Sequence, residues 1–130
     1  MTIELWTLLG SVTLLLTLNM SQAMYTSLTE GVGYALSNRD EPPNATHLSG
    51  RIQRAKTNLV ENLLIFTSLI LMAQALGIST GLTRLGAVLF LVSRILHAIV
   101  YVVGITHLRS LIWVVSLMGM AMIAVGIIQH

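Results

Sequence analysis

Four apolar stretches, at about residues 3–28, 50–76, 82–103 and 109–128, constrain this chain more than any other feature. About 20 apolar residues in a row suffice to cross a bilayer as a helix, and each stretch reaches that length. In hydrocarbon every backbone N–H and C=O must be bonded within the protein, so runs of this kind fold as helices. The second stretch is joined to the third through residues 77–83, and the third to the fourth through residues 104–108. Such short connections force antiparallel neighbours. The expectation is an all-α integral membrane protein, one domain over residues 1–130, folded as an up-down bundle of four transmembrane helices. Composition agrees: 9% of the chain is charged, against about 25% in soluble domains.

The same composition excludes several kinds of chemistry. There is no cysteine, so disulfides, thiolate metal sites and a cysteine nucleophile are all excluded, and any thiol chemistry must use a substrate's thiol. A formal charge of +2, without a basic stripe and interleaved aromatics, does not suggest nucleic acid. No spacing of His, Asp and Glu supports a metal site. His47, His107 and His130 read as loop or terminal residues, and Ser110 has no base in a triad-like arrangement. The first stretch carries Glu4 and no Lys or Arg ahead of an apolar run longer than a signal-peptide core, so it reads as a retained span despite Ser21-Gln22-Ala23. Its Asn19, Ser21 and Gln22 are suited to hydrogen bonds between helices.

Residues 30–50 form the one long loop, punctuated by Gly31, Gly33, Asn38, Asp40, Pro42, Pro43 and Asn44. Ser49 is the expected N-cap of the second span. Arg39, Arg51, Arg54, Lys56 and Arg109 gather at the end of the bundle that holds this loop, and only Arg84 lies at the other. The positive-inside rule therefore places the loop in the cytoplasm and both termini on the opposite side. The sequon Asn44-Ala45-Thr46 falls on the wrong side for glycosylation.

The polar residues inside the apolar stretches are the functional signal. Arg51, Arg54, Asn58 and Glu61 recur at i, i+3, i+7 and i+10, one face of a helix. With Arg51 at the interface, Glu61 lies roughly 15 Å deeper. Arg94, His97 and Tyr101 share a face of the third span, and Arg94 comes to about the depth of Glu61. An unpaired charge there is very unfavourable, so a Glu61–Arg94 ion pair is expected. Such a pair could lock the two spans or hold a ligand, and the spacing leaves both readings open. Arg51, Arg54, Asn58, His97, Tyr101 and Arg109 descend from the cytoplasmic interface toward the centre. Guanidinium groups suit bidentate capture of carboxylates, which points to a cytoplasm-facing pocket for a small anionic ligand beside lipid. The alternative for Arg51, Lys56 and Arg109 is snorkelling to headgroups. Small residues of the fourth span, Ser116, Gly119, Ala121 and Ala124, permit close packing in an oligomer.

The stretch R-I-Q-R-A-K-T-N-L-V-E-N-L-L-I-F, with its core R-x-x-R-A-x-x-N-x-x-E, resembles the signature helix of the membrane-associated proteins in eicosanoid and glutathione metabolism (MAPEG). R-I-L-H-A-I-V-Y, followed by Arg109-Ser110, is similar to the family's third-helix motif and the start of its fourth helix. The resemblance implies a homotrimer that holds glutathione as co-substrate at subunit interfaces open to the cytoplasm. It assigns glutathione binding to Arg51, Arg54, Asn58, Glu61, Arg94, His97 and Tyr101. Arg109 becomes the catalytic residue that stabilises the thiolate, with no metal involved. The implied activity is conjugation of glutathione to a lipophilic electrophile arriving from membrane lipid, with hydroperoxide reduction within the same chemistry. A non-catalytic ligand-binding or scaffold protein of the same fold is the alternative. A small transporter subunit ranks last, because the fourth span is nearly all apolar after Ser110.

Overall fold

The computed structural model describes residues 1–38, 40 and 46–130. Arg39 of the orientation argument, and Asn44 and Ala45 of the sequon, lie outside the described residues. Four long helices account for most of the rest. Helix α1 spans Ile3–Glu30 and is capped by Thr2, whose hydroxyl accepts from the Leu5 amide at 3.4 Å. Gly31 breaks it with φ 87, a conformation that glycine adopts without steric cost. A single further turn, α2 at Val32–Leu36, then forms in a stretch that reads as irregular.

Helix α3 spans His47–Ala75, and its N-cap is Thr46 rather than the expected Ser49. Both residue types can cap, and Thr46 is fixed one turn earlier: its hydroxyl accepts from the Ser49 amide at 3.2 Å and bonds the Tyr25 hydroxyl at 2.8 Å. Helix α4 spans Gly81–Val103 behind a capping box of Thr80 and Thr83. It ends at Gly104 in the left-handed region, and α5 follows at once over Thr106–Ile128. The last helix thus starts earlier than expected, and Arg109 sits inside its first turn.

All four long helices are apolar enough to cross a membrane, and their large exposed hydrophobic side chains are what a lipid-facing surface requires. Helix α1 packs on α3 and α4, α3 also touches α5, and the α4–α5 hairpin has the most extensive interface. In the core of the bundle Phe66 of α3 and Phe90 of α4 stack with ring centroids 3.9 Å apart, in a cluster with Leu63, Ile70, Ala87, Met120 and Ile123.

Two glycines bring α4 and α5 together. A Cβ at Gly86 would lie 2.5 Å from the Gly119 carbonyl oxygen, and one at Gly119 would lie 2.7 Å from the Gly86 carbonyl oxygen. Gly119 therefore serves packing within the chain, as does Ser116, which is fully buried. Of the small residues of the last span that permit close packing, these two pack against α4 of the same chain. Among the polar residues of α1, Gln22 does bond another helix, through Gln53 of α3, whereas Ser21 bonds its own backbone at Thr17.

One buried carboxylate was not anticipated. Glu4 is 0% exposed. Its oxygens accept from the Thr83 hydroxyl at 2.7 Å and the Ser79 hydroxyl at 3.0 and 3.3 Å. Arg84 in turn donates to the Ser79 hydroxyl and carbonyl, both at 3.1 Å. This cluster ties α1 to the first turn of α4, where the helix's positive end favours a carboxylate.

Candidate functional site

The candidate site residues lie toward the other end of the bundle. The R-x-x-R spacing on α3 brings Arg51 and Arg54 to the same side as the C-terminus of α4 and the start of α5. There the structure forms a half-open cavity of about 120 Å³ lined by Arg51, Arg54, Val100, Tyr101, Gly104, Ile105 and Arg109. Three guanidinium groups face it and no carboxylate lines it, so its potential favours anions. The Arg109 guanidinium carbon lies 4.7 Å from the centroid of the Tyr101 ring, a cation–π contact that orders both groups. His97 meets the edge of the same ring at 5.4 Å. Arg51 donates to the carbonyls of Val102 and Val103 at the end of α4.

Deeper in the bundle the geometry departs from expectation. Arg94 is 1% exposed, and its partners are Asn58 Oδ1 at 2.8 Å and the Ser116 hydroxyl, not Glu61. Glu61 instead has an exposed side chain on the outer face of α3. The expected Glu61–Arg94 pair is therefore not formed within the chain. The reason is rotational: Asn58 and Glu61 are one turn apart on one stripe, and α3 is set so that Asn58 meets α4. Arg94 braces three helices, with Asn58 on α3 and Ser116 on α5, and its guanidinium carbon lies 5.3 Å from the Phe90 ring centroid. Its Nε is buried without a partner.

The structure thus gathers Arg51, Arg54, Tyr101 and Arg109 around one cavity. The half-buried Asn58 and the buried Arg94 and His97 form a layer beneath it, and Glu61 stands apart. Two further residues shape the site without standing out in the sequence: Ser116 as an anchor for Arg94, and Gly104 as the residue that lets Arg51 approach α4. Ser116 carried a faint signal: it lies seven residues after Arg109, two helical turns further along the same face. Among the described residues no group of His, Asp and Glu could hold a metal ion.

Fold and site together define a four-span membrane bundle with an arginine-lined cavity at one end. The chain belongs to the MAPEG family, whose sequence model matches residues 4–129. No curated protein and no solved structure matches it.

Proposed function

We propose that the protein is a glutathione-dependent membrane transferase that conjugates the tripeptide's sulfur to a lipophilic electrophile. The observation that carries this reading is the cavity itself: three arginines and a tyrosine converge on one space at the end of an apolar bundle. Glutathione offers two carboxylates, which guanidinium groups capture through charge-assisted bonds, and a thiol, which a chain without cysteine cannot supply itself. Arg51 and Arg54 bind the carboxylates, while Asn58, His97 and Arg94 shape the floor.

Arg109, held over the Tyr101 ring, faces the sulfur. A free thiol titrates near 8.5, and a nearby guanidinium favours its ionised, nucleophilic form. The thiolate attacks the electrophilic carbon, a sulfur–carbon bond forms, and the leaving group departs with its electron pair. The electrophile reaches the sulfur from the bilayer, and the cavity faces the cytoplasm, as the arginine distribution suggests.

The active form is a homotrimer. Its support is Glu61, a carboxylate exposed near mid-span, which lipid does not tolerate and a neighbouring copy or its bound ligand would cover. Glu61 then completes the glutathione site from outside the cavity.

Calorimetric titration of glutathione into the detergent-solubilised protein tests the reading. Saturable binding is expected, weakened about tenfold or more by Arg54→Ala, the loss of one charge-assisted contact. A folded oligomer that takes up no glutathione would overturn it and leave a non-catalytic lipid-binding role as the better account.

A further inference from the structure

Arg51 has two competing attachments. It lines the cavity, and its Nη1 donates to the carbonyls of Val102 at 3.4 Å and Val103 at 3.3 Å. These carbonyls belong to the last turn of α4, whose acceptors no N–H of the same helix can reach. Gly104 makes the approach feasible. It sits at φ 95, and a Cβ there would lie 2.7 Å from both Cζ and Nη1 of Arg51. The amides of Gly104 and Ile105 both donate to Val100, at 2.9 and 3.1 Å. The turn into α5 is therefore held by backbone bonds at one carbonyl and by Arg51 at two others. Arg51 closes the seam between α3 and the α4–α5 turn beside the cavity.

That closure is weak where it matters. Both bonds are long for N–H···O, whose usual distance is about 2.9–3.0 Å, and both acceptors are neutral. A carboxylate binds a guanidinium in a planar, two-bond geometry, and such charge-assisted bonds are roughly twice as strong as neutral ones. Size points the same way. The cavity measures about 120 Å³, whereas pockets for small organic ligands run from about 300 Å³ upward. With Arg51 against α4 the half-open space within one chain holds only part of a peptide-sized anion. Drawing the guanidinium away from the carbonyls enlarges the space and presents the charge to the ligand.

We propose that Arg51 is an anion-operated latch. In the ligand-free protein it caps α4 and closes the seam. A ligand carboxylate captures it, leaving Val102 and Val103 uncapped and the α4–α5 turn free to move aside. Binding and opening are then one event, and the turn that moves leads directly to Arg109. The identity of the carboxylate ligand rests on the glutathione reading; the latch itself requires only an anion.

Hydrogen–deuterium exchange of the purified full-length protein, read by mass spectrometry over segment 104–108, tests this with reduced glutathione as the probe. A ligand that filled a ready-made site would slow exchange there. The latch predicts the opposite: amides of the segment exchange about fivefold faster at saturation, because their local opening becomes easier. Arg51→Ala is expected to show the faster exchange without ligand and no further rise with it. Arg51→Met, which keeps the apolar stem but has no donor and no charge, serves if the alanine variant does not fold, and behaves in the same way. Glutathione binding with slowed or unchanged exchange overturns the latch and leaves the glutathione reading intact. If glutathione gives no heat, that reading falls, and sulfate against chloride at equal ionic strength decides the latch alone. Faster exchange with sulfate in the wild type but not in Arg51→Ala supports it, and no such difference overturns it.

Discussion

Arg94 and Arg109 show how far surroundings separate two identical side chains. Arg94 is sealed in the bundle against Asn58, Ser116 and Phe90, where its guanidinium acts as a brace. Arg109 is half-buried at the cavity with Tyr101 beneath it, where a ligand can reach it. Conjugation should therefore depend on Arg109 in a pH-dependent way. Without the guanidinium the bound thiol returns toward about 8.5, so little thiolate remains at pH 7. Each tenfold loss of thiolate corresponds to about 1.4 kcal/mol. Arg109→Ala is expected to lower kcat about tenfold to a hundredfold at pH 7, with the deficit shrinking as pH rises toward 9, where the thiol ionises unaided. A deficit that stays constant across that range would remove Arg109 from thiolate stabilisation. The sequence made the candidate residues legible, because charges inside apolar runs stand out. Arg94's partner was not legible. Spacing places Asn58 and Glu61 on one stripe of α3, and only the rotation of α3 against α4 decides which of the two meets the arginine.

Among the elements, α4 supplies Arg94, His97 and Tyr101 to the site, on the same face as Thr83 and Phe90. It is held at three levels: by Glu4 through Thr83 at its start, by Asn58 and Ser116 through Arg94 in its middle, and by Arg51 at its end. Glu4 supplies a charged hydrogen-bond clamp between α1 and α4. Its removal takes the shared charged acceptor from the Ser79 and Thr83 hydroxyls, which keep only their partners at the start of α4, Arg84 and Thr80. Hydrogen bonds to charged groups contribute about 1.5–3 kcal/mol each. Glu4→Ala is therefore expected to lower stability by about 2–4 kcal/mol, with Thr83→Val smaller and the pair less than additive because they share one contact. Melting temperature in detergent reads this out, and unchanged values would show the clamp to be dispensable. Helix spans were legible to within a few residues because the apolar runs set their lengths. Glu4 was not, because its partners lie 75 and 79 positions away in the chain, and near a terminus a carboxylate reads as solvated. The turn between α4 and α5 is shorter than expected because Gly104 ends α4 in the left-handed region and Ile105 is already the N-cap of α5.

At the scale of the whole molecule, the outer surface is not uniform. The hydroxyls of Thr13, Thr17 and Ser21 on α1 are exposed, yet each donates to a carbonyl of its own helix, so that face is compatible with lipid. The outer stripe of α3 is different. It carries Arg54 and Glu61 among Leu64, Ser68 and Leu71. A carboxylate at the centre of a span costs about 2.5–3.5 kcal/mol by insertion measurements. That is enough to drive this stripe against protein rather than lipid. The proposed trimer should therefore assemble with α3 toward its neighbours. The chain contains no cysteine, so a single introduced one reports contacts without background. Leu64 is 72% exposed and lies less than one turn beyond Glu61. Leu64→Cys is expected to form a disulfide between copies on mild oxidation in the membrane, giving a band at twice the subunit mass. The same variant under reducing conditions should keep the native oligomeric mass in detergent. A monomeric mass together with no cross-link would mean that α3 faces something other than its own copies. The cover for Glu61 would then have to come from a different partner, and the glutathione site would have to be complete within one chain.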